Sequence, residues 1–202
     1  MTTPRDLLIV AMDMTNSRPV GRGVLSLVLA GGELIDLLGA EAIRLDGDQI
    51  VPGHPPAMAD RLLDEAVSSL VREEPYESLD DWLWRRGRGL ATAYLDALEA
   101  EGQLTRQRHT RWTPSRSSRT VLVDTPARRE AADRWTSDEP VLAALAAAVG
   151  IRDKPTGDSP AVADDAVATV LAAVDDALRD LEFQRQRRAI DDAAFDNIWR
   201  GG

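Results

Sequence analysis

The residues that could carry chemistry in this 202-residue chain are few, and their spacing argues against catalysis. There are two histidines, His54 and His109, and no cysteine. Neither histidine has a base or a ligand neighbour in sequence, so both read as loop or arm residues, and thiolate chemistry is excluded. The acid pairs Asp80-Asp81, Asp164-Asp165, Asp175-Asp176 and Asp191-Asp192 offer the oxygen donors that a cation needs. Adjacent residues on a helix point about 100° apart, however, and these pairs flank apolar positions as solvated helix faces do. No phosphate-binding glycine loop, HExxH or G-x-S-x-G occurs. The expectation is a protein that is not an enzyme and carries no metal or other cofactor.

The chemistry that remains is that of arginine facing an anion. In the turn SRPVGRG, Ser17 to Gly23, Arg18 and Arg22 lie beside backbone donors at the start of a helix, an arrangement suited to a phosphate. Pro19 and Gly21 also suffice simply to shape that turn. A second basic stretch, Gln103 to Arg134, carries Arg106, Arg108, Arg111, Arg116, Arg119, Arg128, Arg129 and Arg134 against only Asp124, Glu130 and Asp133. The whole chain has 24 basic and 34 acidic residues, a formal net charge of -10, which argues against a nucleic-acid partner. A basic region in so acidic a molecule either faces something negative or is neutralised by neighbouring acids. Trp112, among those arginines, suits a membrane interface and a protein partner about equally, as does Trp84; Trp82 reads as core.

The element that must position these residues is Val24 to Leu38, apolar on nearly every side and interrupted only by Ser26, Gly31-Gly32, Glu33 and Asp36. It is too short for a membrane span and reads as a buried central helix. Its glycine pair either admits a close neighbour or marks a kink. Before it, DLLIVAMDM is a strand or a helical turn or two. After it, AIRL and QIV form a small hairpin about Asp46-Gly47. Helices are expected from Ala59, with Leu62 to Val71 presenting one apolar face, from Ser78 as N-cap, and from Leu90 to Glu101 with Gly102 as C-cap. An arm or hairpin with tip PSRSS spans 104–123. Helices follow from Pro126, over Val141 to Val149, and from Ser159-Pro160, the last continuing through FQRQRRAIDDAAFDNIWR and packing down in part. Alanine and leucine dominate and aromatics are sparse, so the fold class is all-α: one compact multi-helical domain over 5–200 around a buried helix, with one or two short β-hairpins. The N-terminal MTTPRDLLIVAMD lacks a basic leader, which points to a cytoplasmic protein.

The succession DLLIVAMD, a glycine-bearing turn, VLSLVLAGGELIDLLGAEAIRLDGDQI, RLLDEAVSSLVREEPYESLDDWL and LATAYLDALEAEGQL resembles the Golgi phosphoprotein 3 family in a bacterial form. That resemblance implies a mostly helical domain without known enzymatic activity. In eukaryotic members it implies recognition of phosphatidylinositol 4-phosphate and of the tails of resident enzymes, and a hairpin with an apolar tip. The headgroup pocket of those members uses a tryptophan that falls near Gly21 here and an arginine that falls at about Ala30, so both side chains are missing. The family's further basic residues, after its hairpin, correspond most nearly to Arg128 and Arg129.

The resulting expectation is a peripheral membrane adaptor that binds anionic phospholipid headgroups, by resemblance a phosphoinositide, at the inner face of a membrane. Arg18, Arg22, Arg128 and Arg129 are its candidate anion-binding residues. Arg108, Arg111, Trp112, Arg116 and Arg119 of the arm are its candidate membrane or partner contacts. The alternative is a scaffold that self-associates as a homo-oligomer through the 104–123 arm without binding lipid.

Overall fold

The polar interruptions of the central helix explain how the fold is built. A computed structural model describes residues 2–14, 20–54, 57–108, 118–152 and 164–200, with the backbone alone at 106–108, 118–120 and 193–200. Among them are eight helices and two two-stranded antiparallel sheets. The central helix is α2, Arg22–Gly39, in which every residue from Leu25 to Leu37 is buried except the half-buried Asp36. Around it lie α1 (Thr3–Met14), α4 (Leu79–Arg86), α5 (Leu90–Ala100) and α8 (Asp165–Arg200), with α3 (Arg61–Ser68) and α7 (Pro140–Ala148) completing the bundle and α6 (Pro126–Thr136) packed on α1.

Each interruption serves one neighbour. The hydroxyl of Ser26 accepts the N–H of Ala91 at 3.0 Å, which caps α5 where its own N-cap, Gly89, has no side chain to do so. Gly31 receives α8: a Cβ there would lie 2.4 Å from a methyl of Val174. Gly32 receives α1, with Pro4 at 3.3 Å from the same virtual atom. The pair is therefore a double site of close approach, and α2 is continuous through it. Glu33 accepts from Arg86 and from the Tyr94 hydroxyl, and Asp36 accepts the N–H of Thr3 at 2.8 Å, capping α1. Thus the apolar saturation of α2 buries it, while its few polar atoms fix which helix sits where.

Several expectations are sharpened. DLLIVAMDM is helix, not strand, because α2 and α6 pack along it and leave no partner strand. The first hairpin pairs β1 (Ile43–Asp46) with β2 (Gln49–Pro52) across Gly47-Asp48, one residue later than the Asp46-Gly47 reading, with Gly47 in the left-handed region at φ 61°. Helix α3 starts later than Ala59, because Asp60 accepts the N–H groups of Leu62 and Leu63, and it ends at Ser68, leaving Val71 exposed. Ser78 caps α4 as expected, accepting the N–H of Asp81. The arm is a ladder of β3 (Leu104–Arg108) with β4 (Ser118–Leu122), and its tip lies outside the described residues.

The last helix departs most from expectation. It begins at Asp165, where Asp164 rather than Ser159 accepts the first free N–H groups; Ser159 and Pro160 themselves lie outside the described residues. Val170, Val174 and Ala177 are buried against the bundle, but residues 182–192 are exposed throughout. Phe183 is 60% and Ile190 67% exposed, so this part of the helix does not pack down. Helix α8 runs antiparallel to α2 and continues past its N-terminus, because α2 begins at the level where α8 reaches Leu181 and Arg185.

Candidate functional site

The arginines of the basic stretch that the structure describes are largely neutralised. Arg128, at the start of α6, donates to both carboxylate oxygens of Asp13 near the end of α1, at 3.1 and 2.7 Å. Arg129 forks onto Asp124 in the same way, at 3.1 and 2.8 Å. Arg134 binds Asp6 and Glu139. Of the two readings of that stretch, neighbouring acids therefore take these three guanidinium groups. Each is held more firmly protonated by its partner, and Asp124 is correspondingly held below the usual carboxylate range.

The first turn gives a different picture. Arg18 lies outside the described residues, whereas Arg22 opens α2 and is exposed. The N-cap is Gly21, extended at φ -63° and ψ 128°, and no side chain caps the helix. The guanidinium of Arg185, from α8, lies over this end: its nitrogens stand 3.5 and 3.7 Å from a virtual Cβ on Gly21, and one stands 3.1 Å from a virtual Cβ on Gly23. Side chains at 21 and 23 would crowd that approach. Among the described residues neither Arg22 nor Arg185 forms an ion pair. Two unpaired cations thus stand at the positive end of a helix whose leading N–H groups point outward, a locally unfavourable arrangement that a bound anion would relieve.

Arg22 and Arg128 belong to the same end of the molecule: the start of α1 packs on the far part of α2 through Thr3–Asp36 and Pro4–Gly32, so α1 and α2 run antiparallel and Asp13, to which Arg128 is tied, lies toward the start of α2. Of the arm, the structure describes the ladder alone. Arg108 and Arg119 are one register step apart on β3 and β4, with only their backbone described, and Arg111, Trp112 and Arg116 fall outside the described residues. His54 is exposed, His109 lies outside the described residues, and no carboxylate–histidine group that could hold a metal occurs among the described residues. Ala30 is buried within α2. Sequence reasoning missed Arg185, 163 positions away from Arg22; only the antiparallel course of α8 over α2 brings it there, and the basic run QRQRR was the one hint.

A buried helix ringed by amphipathic helices, with a basic, uncapped helix start and a two-stranded ladder, defines a mostly helical domain. Residues 4–191 match the family model described as Golgi phosphoprotein 3, and the chain belongs to that family. It is not a family of known enzymes. No match occurs among curated protein sequences. No helix among the described residues is long and apolar enough to cross a membrane.

Proposed function

We propose that this protein is a non-enzymatic peripheral adaptor that binds the phosphate of an anionic phospholipid headgroup at the N-terminal end of α2, with Arg22 and Arg185 as its principal ligands. The observation that carries the reading is the Arg185 guanidinium lying over the uncapped start of α2, whose first residue is the exposed Arg22, with neither arginine in an ion pair among the described residues. The charge there is arranged for an anion and lacks one of its own. Family membership supports a phosphoinositide as the first headgroup to test, with Arg22 and Arg185 supplying basic groups at the start of α2 where the family's tryptophan, near Gly21, and arginine, at about Ala30, are missing. Arg128 and Arg129 border the site as charges already balanced by acids, contributing field but not a free ligand.

Liposome flotation tests this reading. Wild type and Arg22→Ala/Arg185→Ala are compared on neutral, phosphatidylserine and phosphatidylinositol 4-phosphate vesicles. Each basic residue near an anionic surface is worth about 1 kcal/mol, so the double variant should lose roughly thirtyfold in partitioning onto anionic vesicles. Raising the salt should weaken wild-type binding. Failure of wild type to float with any anionic vesicle overturns the proposal and leaves self-association through the 104–123 arm as the working reading.

A further inference from the structure

We infer that the protruding end of α8 docks into an acidic groove at the opposite end of a second copy of this chain, giving a head-to-tail association. The groove lies where α1 begins and α2 ends, with a volume of about 720 Å³. Ile35 and Met58 contribute apolar surface to it, and Asp36, Asp60, Glu101 and Arg5 are the charged groups of its lining, three carboxylates against one guanidinium; Arg5 faces Asp60 and Glu101, while Asp36 accepts the N–H of Thr3. Arg5 bridges Asp60 and Glu101, so these acids are fixed in place, and a net negative charge remains over an apolar floor.

The protruding helix is its complement. Phe183, Arg187 and Ile190 stand at i, i+4 and i+7 and therefore share one face, which points away from the stripe of Val170, Val174 and Ala177 that packs on the bundle. Phe183 and Ile190 are the two most exposed large apolar residues among those described, and the guanidinium of Arg187 lies 6.0 Å from the centre of the Phe183 ring. No acid interrupts that face between the two apolar anchors. An apolar helix face carrying one cation matches an apolar groove rimmed with acids, the usual mode of a helix in a groove.

The partner has to be another molecule. Helix α2 separates the two features by its whole length, about 27 Å for 18 residues. Because α8 is antiparallel to α2, its end runs away from the groove of its own chain. Two different surfaces meeting in this way make a heterologous contact, which continues from molecule to molecule unless it closes into a ring.

Two variants and their mixture test the inference by sedimentation velocity. Phe183→Ser/Ile190→Ser removes the helix anchors and leaves the groove intact. Gly39→Arg fills the groove rim with a like charge to Arg187; Gly39 is exposed, and a Cβ there meets nothing within 4 Å, so the fold tolerates it. Wild type should show a mass that rises with protein concentration and falls with salt, and each variant alone should weaken association at least roughly tenfold. Mixing the two variants should restore a 1:1 dimer and nothing larger, since one intact helix then meets one intact groove. Wild type that stays monomeric at high concentration overturns the inference. So does a Gly39→Arg protein that associates as well as wild type, or a mixture that gives no dimer. Circular dichroism confirms that both variants remain helical, and flotation of each on anionic vesicles separates this contact from the lipid site.

Discussion

Val174 sits on Gly31: a methyl of the valine stands 2.4 Å from the position a Cβ would take, closer than any real side-chain contact. Adding that carbon must displace α8 or force Val174 from its rotamer in a region where both residues are buried. Gly31→Ala gains about 1 kcal/mol of helix propensity but overpacks the interface by about 1–3 kcal/mol, so a net loss of up to about 2 kcal/mol is expected in urea unfolding. Combining it with Val174→Ala should cost less than the two single changes added together, with a coupling of roughly 1 kcal/mol. Additive losses would show that the helices do not meet here.

The Glu33 carboxylate is buried, and Arg86 donates to both its oxygens at 2.8 and 2.9 Å, with the Tyr94 hydroxyl at 3.1 Å. Burial holds its pKa above the usual range despite both partners. Arg86→Met leaves that charge without a counter-ion and should cost about 3–5 kcal/mol at neutral pH. Without Arg86 the carboxyl is pushed up further, so it takes a proton more readily and the deficit should shrink as the pH falls. Arg86→Met/Glu33→Gln should recover much of the loss and remove its pH dependence. Denaturant melts at two pH values check all three.

What was legible in the chain follows from how local each signal is. The saturation of α2, the Ser78 cap and the Gly47 turn are written in adjacent residues, and the family resemblance rested on the same stretches. Polar residues inside α2 were visible as interruptions, but their partners were not, because Ser26 answers Ala91 and Glu33 answers Arg86 across the fold. For the same reason the sequence leaves open whether Arg128 and Arg129 face a ligand or neighbouring acids, and only the fold shows Asp13 and Asp124 beside them. The end of α8 read as packed because its apolar residues recur at helical spacing; periodicity reports a face and says nothing of whether anything covers it.

The ion pairs Arg128–Asp13 and Arg129–Asp124 should behave as surface pairs. Arg128 and Asp13 are each about one-third exposed in their side chains, so Arg128→Ala should cost under about 1 kcal/mol, less at high salt. Arg129 and Asp124 are exposed, and Arg129→Ala should leave the melting temperature unchanged. Neither change should reduce liposome binding as far as Arg22→Ala/Arg185→Ala does. A larger effect of Arg128→Ala on flotation than of that double variant would move the headgroup site toward α6.

Asp6 is wholly buried in α1, with one oxygen held by Arg134 and the other, Oδ1, without a hydrogen-bond partner among the described residues. Burial is the main influence on its pKa, and its direction is upward; Arg134 opposes this without cancelling it. Asp36 is raised by burial as well, and in part by the charge on Asp6. A carboxyl whose pKa is higher in the folded than in the unfolded chain binds its proton more tightly when folded. Its ionised form therefore costs stability above the folded value, and that cost is relieved as the pH falls through the folded value toward the ordinary one. Glu101, lowered chiefly by its hydrogen bonds from Arg5, acts in the opposite sense and loses its contribution as the pH falls through its own depressed value. Mild acidification, above the range where Glu101 titrates, should therefore raise the stability of the wild type. Asp6→Asn should flatten that rise while changing stability at neutral pH by only about 1 kcal/mol, since Arg134 keeps Glu139. Arg134→Met, by contrast, strands Asp6 and should cost about 3 kcal/mol or more at neutral pH, with the loss shrinking on acidification. Thermal melts of the three proteins across a pH series decide it: a wild type that weakens steadily on mild acidification, or an Asp6→Asn profile parallel to it, would show that Asp6 carries no such cost.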